Sequence, residues 1–126
     1  MERRILDTDQ LTEALKGLDG WSAKGSLLEK GVKFNNFAEA LAFVNRIGTL
    51  AESADHHPDI TFGWGYADIA LTTHDRGGIT EVDIALAKKI DDLERRSIRL
   101  QRRSFSVTTL RSHLVNSYLG SSASSK

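Results

Sequence analysis

No cysteine occurs among the 126 residues, which excludes disulfides, thiolate zinc sites, iron–sulfur clusters and a cysteine nucleophile, and suits a reducing, cytoplasmic setting. Long apolar runs are missing too. The longest is the five residues Ala40 to Val44, and Met1-Glu2-Arg3-Arg4-Ile5 opens no apolar segment, so neither a signal peptide nor a membrane span is expected. Net charge is also absent, with 17 basic against 17 acidic residues, but the balance hides a split. Met1 to Glu94 holds 10 Lys/Arg against 17 Asp/Glu, a net of −7; Arg95 to Lys126 holds 7 against none. The expected organisation is an acidic globular domain over residues 1–94 followed by a basic extension over 95–126, partly disordered or loosely attached. At 40% hydrophobic residues the chain can fill one core and falls short of two ordinary domains.

What is present is a regular alternation of helix and strand signals. Asp7 with Gln10 three residues on is a capping-box pattern, and Leu11, Ala14, Leu15 and Leu18 recur at helical spacing until Gly17 and Gly20 end the run. From Trp21 the chain reads as a hairpin turning at Lys24-Gly25, with Leu28, Val32 and Phe34 on one side. Asn36 caps the next helix, whose stripe is Ala40, Phe43, Val44, Ile47, Leu50 and Ala51. Pro58, the only proline, disfavours helical backbone at His57 and so ends that helix by about Asp55. A second hairpin follows, with Ile60, Phe62 and Trp64 alternating before Gly65, and Ile69, Leu71 and Thr73 on one face after it. Thr80 then caps a last helix with Asp83 at its third position and Val82, Leu86, Ile90 and Leu93 as its buried stripe, closing near Leu93. Short connections of this kind predict an α+β, two-layer sandwich: an antiparallel sheet with helices packed on one face. Beyond Glu94 the pattern decays. A short strand at Phe105, Val107 and Thr109 and a helix at Leu110, Leu114 and Tyr118 are the expectations there, with a disordered Ser-rich end.

Three of the four histidines fall between residues 56 and 74, in company with Glu52, Asp55, Asp59 and Asp83. His56 and His57 sit where a helix ends, and His74 where a strand ends, so a hairpin packed on that helix could gather the three imidazoles at one cleft. Imidazoles titrate near neutral pH and can both give and take protons, and a neighbouring carboxylate selects the tautomer. Taken singly, each residue has a plainer explanation. A His-His pair suits a solvated helix terminus, Asp83 a cap, Glu52 a solvated helix position, His74 a strand end, and Trp64 with Tyr66 hairpin packing.

The joint spacing points further. Glu52, His56-His57-Pro58, Trp64, His74 and Asp83, with the run Asn36 to Arg46 and the segment Leu71-Thr72-Thr73-His74-Asp75, resemble the pterin-4a-carbinolamine dehydratase family over about residues 6 to 93. The resemblance implies an enzyme that removes water from 4a-hydroxytetrahydrobiopterin to give the quinonoid dihydropterin, in support of tetrahydrobiopterin recycling, with no metal and no organic cofactor. It implies that His56 and His74 are the acid/base pair, that Asp83 orients His74, and that His57, Glu52, Asp55, Thr72 and Thr73 bind substrate. It further implies a homodimer or homotetramer and a functional link to an aromatic amino acid hydroxylase. Ile60 stands where many members carry an aromatic residue, and Gly63-Trp64-Gly65-Tyr66 is richer in glycine than usual. Nothing in the family pattern accounts for residues 95–126.

Three other functions compete. Relatives of this fold act as non-catalytic dimerisation or assembly factors, though these tend to lose the histidine set that this chain keeps. A metal hydrolase would need adjacent histidines to share one ion, which their divergent directions oppose. Nucleic-acid binding rests only on the arginine-rich end, and a basic segment without a reading surface binds weakly and non-specifically, so no specific nucleic acid and no membrane partner is expected.

Overall fold

The computed structural model describes residues 3 to 97. A boundary between two units of the chain falls after Glu94, and the architecture here is that of the first. Helix α1 (Thr8–Lys16) starts with the expected capping box: the Asp7 carboxylate accepts from the Gln10 amide at 2.8 Å, and the Gln10 side chain accepts from the Asp7 amide at 2.9 Å. Strands β1 (Ser22–Lys24) and β2 (Leu27–Lys33) form the first hairpin, helix α2 (Phe37–Ala54) follows its Asn36 cap, and β3 (Asp59–Gly63) with β4 (Tyr66–Leu71) forms the second hairpin. Helix α3 begins at residue 81 and is still helical at residue 97, past the expected close near Leu93.

The four strands are antiparallel throughout in the order β1-β2-β4-β3. The two hairpins therefore join through β2 and β4, with Leu28 opposite Leu71 and Val32 opposite Ala67. Strand alternation sends Leu28, Val32, Ala67, Ile69 and Leu71 to the face that meets the helices, where Phe43 and Ile47 of α2 and Leu86, Ala87 and Ile90 of α3 close over them. Each of the Val, Leu, Ile and Phe side chains among them, fully buried, contributes about 1.5–3 kcal/mol. This is the α+β sandwich expected, with helices on one face of the sheet. Among the described residues no helix is long and apolar enough to cross a membrane.

Two features of the core differ from the expected pattern. Trp64 does not continue the alternation of β3; it occupies the β3–β4 turn and is 72% exposed. Lys30 occupies the core face of β2 between Leu28 and Val32, where burial is tolerated because its ammonium donates to Asp91 Oδ1 at 2.8 Å and Glu94 Oε1 at 2.5 Å on α3. Asp91 is itself buried and also accepts from Trp21 Nε1 at 2.8 Å and the Asp19 amide at 2.9 Å. A polar clasp thus ties the first hairpin to the last helix, and every member has its partner. The strand and helix expected at Phe105 to Tyr118, and the Ser-rich end, lie outside the described residues.

Candidate active site

The end of α2 sets the first histidine. Asp55 takes a left-handed conformation (φ 52°), its amide bonds back to the Glu52 carbonyl at 3.3 Å, and the His56 amide reaches the Ala51 carbonyl at 3.1 Å. Those two bonds satisfy the last carbonyls of the helix in a Schellman arrangement, with Pro58 just beyond to prevent continuation. Aspartate tolerates the left-handed region better than most residues. The reversal swings His56 inward, where it is buried, and leaves His57 outside.

The start of α3 sets the carboxylate. Thr80 is the helix cap: its hydroxyl accepts from the Val82 amide at 3.2 Å, and Asp83 Oδ2 accepts from the Thr80 amide at 2.9 Å. Asp83 is completely buried, and its second oxygen meets His56 Nε2 at 2.5 Å. Thr73, also completely buried, donates its hydroxyl to Asp83 Oδ2 at 2.8 Å and in turn accepts from the Thr80 hydroxyl at 2.7 Å. A carboxylate accepts only, so with Asp83 ionised the proton between it and His56 resides on Nε2, leaving Nδ1 as the acceptor nitrogen of the ring. Among the described residues no buried side-chain nitrogen or oxygen lacks a hydrogen-bond partner.

His74 follows Thr73 directly. It is exposed in a tight turn in which the Arg76 and Gly77 amides both bond to the Thr73 carbonyl at 2.9 Å, and Gly77 supplies the positive φ of 78° that the turn needs. Because Thr73 is bonded to the carboxylate that holds His56, the two histidines are linked through two buried residues, Thr73 and Asp83. On the outside, His57 Nε2 meets Glu52 Oε2 at 2.5 Å, both side chains more than half exposed. Asp55 is exposed, and Thr72 is buried, with its hydroxyl 3.4 Å from the Gly78 carbonyl.

Two contacts differ from those expected. Asp83 pairs with His56 and not with His74, because α3 returns across the end of α2 and aims its first turn there. Thr73, expected to touch substrate, is fully buried, and its hydroxyl is bonded to Asp83 on one side and to Thr80 on the other. The structure also adds Thr80, recognised from the sequence only as a cap. The signal that could have found it is the Thr-x-x-Asp spacing, which obliges the third-position carboxylate to point back toward the cap. Among the described residues no three His, Asp or Glu side chains gather as a metal-ligating group.

Known proteins are similar to this chain in sequence and in fold. A protein of Thermomicrobium roseum, provisionally named a pterin-4-alpha-carbinolamine dehydratase, is 49% identical over 88 residues, which cover 70% of this chain and 95% of that one. A protein of Sulfurisphaera tokodaii with the same provisional name is 44% identical over 88 residues, with the same coverage. The crystal structure of a transcriptional coactivator/pterin dehydratase from Brucella melitensis superposes with a TM-score of 0.69 at 33% identity, covering 71% of this chain and 98% of that one. The family model described as pterin 4 alpha carbinolamine dehydratase matches residues 4–93, the stretch that holds all three helix caps, both hairpins and the His56–Asp83 pair. The chain therefore belongs to the pterin-4a-carbinolamine dehydratase family.

Proposed function

We propose that the protein is a 4a-hydroxytetrahydrobiopterin dehydratase working by histidine acid/base catalysis, with the catalytic unit in residues 1–94. The observation that carries this reading is the buried His56–Asp83 pair, braced by Thr73 and Thr80, with His74 on the next residue along. Loss of water from the carbinolamine requires a proton to leave ring N5, the C4a–O bond to break, and the departing hydroxide to gain a proton. The N5–C4a double bond of the quinonoid product forms as the hydroxide leaves. His56, with Nε2–H turned to Asp83, offers the Nδ1 lone pair as base; His74, exposed, supplies the proton to the hydroxide. Exchange with solvent resets both rings. His57, with Glu52 and Asp55 around the α2 terminus, presents polar groups to the amino-pyrimidine edge of the pterin, and Thr72 lines the strand end. Positioned proton transfer of this kind contributes roughly 10² to 10⁴-fold.

As in the expectations drawn from the family, the protein works as a homodimer or homotetramer in the cytoplasm, recycling the pterin product of an aromatic amino acid hydroxylase. The complete histidine set favours catalysis over a purely structural role of the fold. In a hydroxylase reaction where the carbinolamine accumulates, followed by its ultraviolet absorbance, added protein should speed its decay, and His56→Ala or His74→Ala should each lower that rate by about 10²-fold or more. Wild-type protein that leaves the decay unchanged would overturn the reading.

A further inference from the structure

Every polar atom of the completely buried Thr73 is engaged. Its amide donates to the Gly78 carbonyl at 2.9 Å, and its carbonyl accepts from the Arg76 and Gly77 amides, each at 2.9 Å. Its hydroxyl lies 2.8 Å from Asp83 Oδ2 and 2.7 Å from Thr80 Oγ1. The backbone bonds shape the turn that starts at His74, and the hydroxyl holds the carboxylate that meets His56. One side chain and its own backbone thus reach toward both members of the proposed acid/base pair.

The protons of this network have a single ordering. Asp83, as a carboxylate, only accepts, so the one hydroxyl proton of Thr73 goes to Oδ2. Thr73 Oγ1 then has only lone pairs to offer Thr80, so the Thr80 hydroxyl donates to it and accepts from the Val82 amide at 3.2 Å. The Thr80 amide also donates to Oδ2, and Oδ1 is left for His56 Nε2. Rotation of the carboxyl group would break both bonds to Oδ2, so the oxygen that faces His56 stays in place. The segment before α1 crosses the same region. Ile5 bridges Thr80, the Leu6 amide donates to the Ile79 carbonyl at 2.9 Å, and Arg3 Nη2 donates to Asp75 Oδ1 at 2.5 Å.

We propose that Thr73 is a positioning residue for both histidines: its hydroxyl sets the His56 ring through Asp83, and its backbone sets the place of His74. The inference rests on the dehydratase reading, and it departs from the role that the family resemblance implies for Thr73, which is contact with substrate. The two roles differ in their kinetics. Loss of a substrate contact raises KM, whereas a misplaced acid/base pair lowers kcat with KM little changed, because the loss falls on the transition state.

The test compares three variants of the full chain. Thr73→Val keeps the shape and removes the hydroxyl, Thr73→Ser keeps the hydroxyl, and Lys30→Met lowers stability through a clasp at the other end of α3. Small displacements of reacting groups have large effects on rate, so Thr73→Val should lower kcat for carbinolamine decay by about 10- to 10²-fold with KM within about 2-fold. Thr73→Ser should stay within about 3-fold of wild type, and Lys30→Met should keep the wild-type kcat, which separates positioning from lost stability. Nuclear magnetic resonance of the histidine rings adds a reading that needs no turnover. The proton on His56 Nε2 should exchange slowly with water in wild type and Thr73→Ser, and about 10-fold or more faster in Thr73→Val.

A rise in KM with kcat kept would make Thr73 a substrate contact and overturn the proposal, as would a Thr73→Ser or Lys30→Met protein as slow as Thr73→Val. Should Thr73→Val not fold, the wild-type spectrum still decides: a His56 proton on Nδ1, or one that exchanges as freely as that of the exposed His57, overturns it. Wild-type protein without turnover sinks the dehydratase reading, whereas wild-type turnover shared in full by Thr73→Val sinks the positioning role alone.

Discussion

Replacing Asp83 separates what the buried carboxylate does for the fold from what it does for the chemistry. The side chain is completely buried and accepts three hydrogen bonds, from the Thr80 amide, the Thr73 hydroxyl and His56 Nε2. Asp83→Ala removes the reciprocal half of the α3 cap, worth about 1 kcal/mol. It also leaves the Thr73 hydroxyl and the His56 N–H without an acceptor in a dry setting, at about 1–3 kcal/mol each. The expected loss is about 3–7 kcal/mol, a large part of the roughly 5–15 kcal/mol that a domain has. Asp83→Asn behaves differently. Its carbonyl can still accept from Thr80 and Thr73, so the stability loss should be only about 1–2 kcal/mol. Its amide nitrogen, however, donates toward His56 Nε2 and forces that nitrogen to accept, which moves the ring proton to Nδ1 and removes the base. Turnover should then fall by about 10²-fold or more while the protein stays folded. Urea unfolding followed by circular dichroism at fixed protein concentration, beside carbinolamine decay, reads both quantities. An Asp83→Ala protein within about 1 kcal/mol of wild type, or an Asp83→Asn protein with full turnover, would refute the reasoning.

Two further outcomes follow from the clasp and from the outer histidine. Lys30→Met should cost about 3 kcal/mol, because it strands the buried charge of Asp91. Burial is the largest single influence on Lys30 and pulls its pKa down, but the hydrogen bonds and charges of Asp91 and Glu94 outweigh it and hold the ammonium above 10.5. A folded pKa above the unfolded one stabilises the fold fully below the unfolded value, and that stabilisation is lost as pH rises through the folded one. Urea midpoints of wild type and Lys30→Met should therefore converge above pH 10.5; a gap that stays constant from neutral to strongly alkaline pH would contradict the pairing. His57→Ala should raise KM by about 5-fold with kcat within about 2-fold, since His57 and its partner Glu52 are exposed and lie outside the hydrogen-bonded set of His56, Asp83, Thr73 and Thr80; steady-state kinetics showing the loss in kcat instead would move His57 into the chemistry.

Much of the fold is legible because its devices are local. The capping residues Asp7, Asn36 and Thr80 bond to amides within four residues of themselves, Pro58 stops α2 through the backbone next to it, and the alternation of β2 and β4 follows from the geometry of a single strand. The candidate site is legible as a set of residues for a different reason: the spacing of Glu52, His56, His57, His74 and Asp83 is a pattern in one dimension. Its internal wiring is not. From chain distance His74, nine residues away, is the nearer partner for Asp83, whereas His56 is 27 residues away.

The sequence by itself therefore determined the elements, their caps and the α+β class, and it named the histidines and carboxylates from which a site is proposed. The tertiary structure alone decided the joining of the two hairpins through β2 and β4, the pairing of Asp83 with His56, the inward turn of Lys30 against Asp91, and the approach of Arg3 to Asp75. Those last three contacts span 27, 61 and 72 residues. Propensity and periodicity act over one or two turns of chain, but a buried charge is tolerated only where a partner arrives from elsewhere in the fold, and that partner is selected by which surfaces pack together.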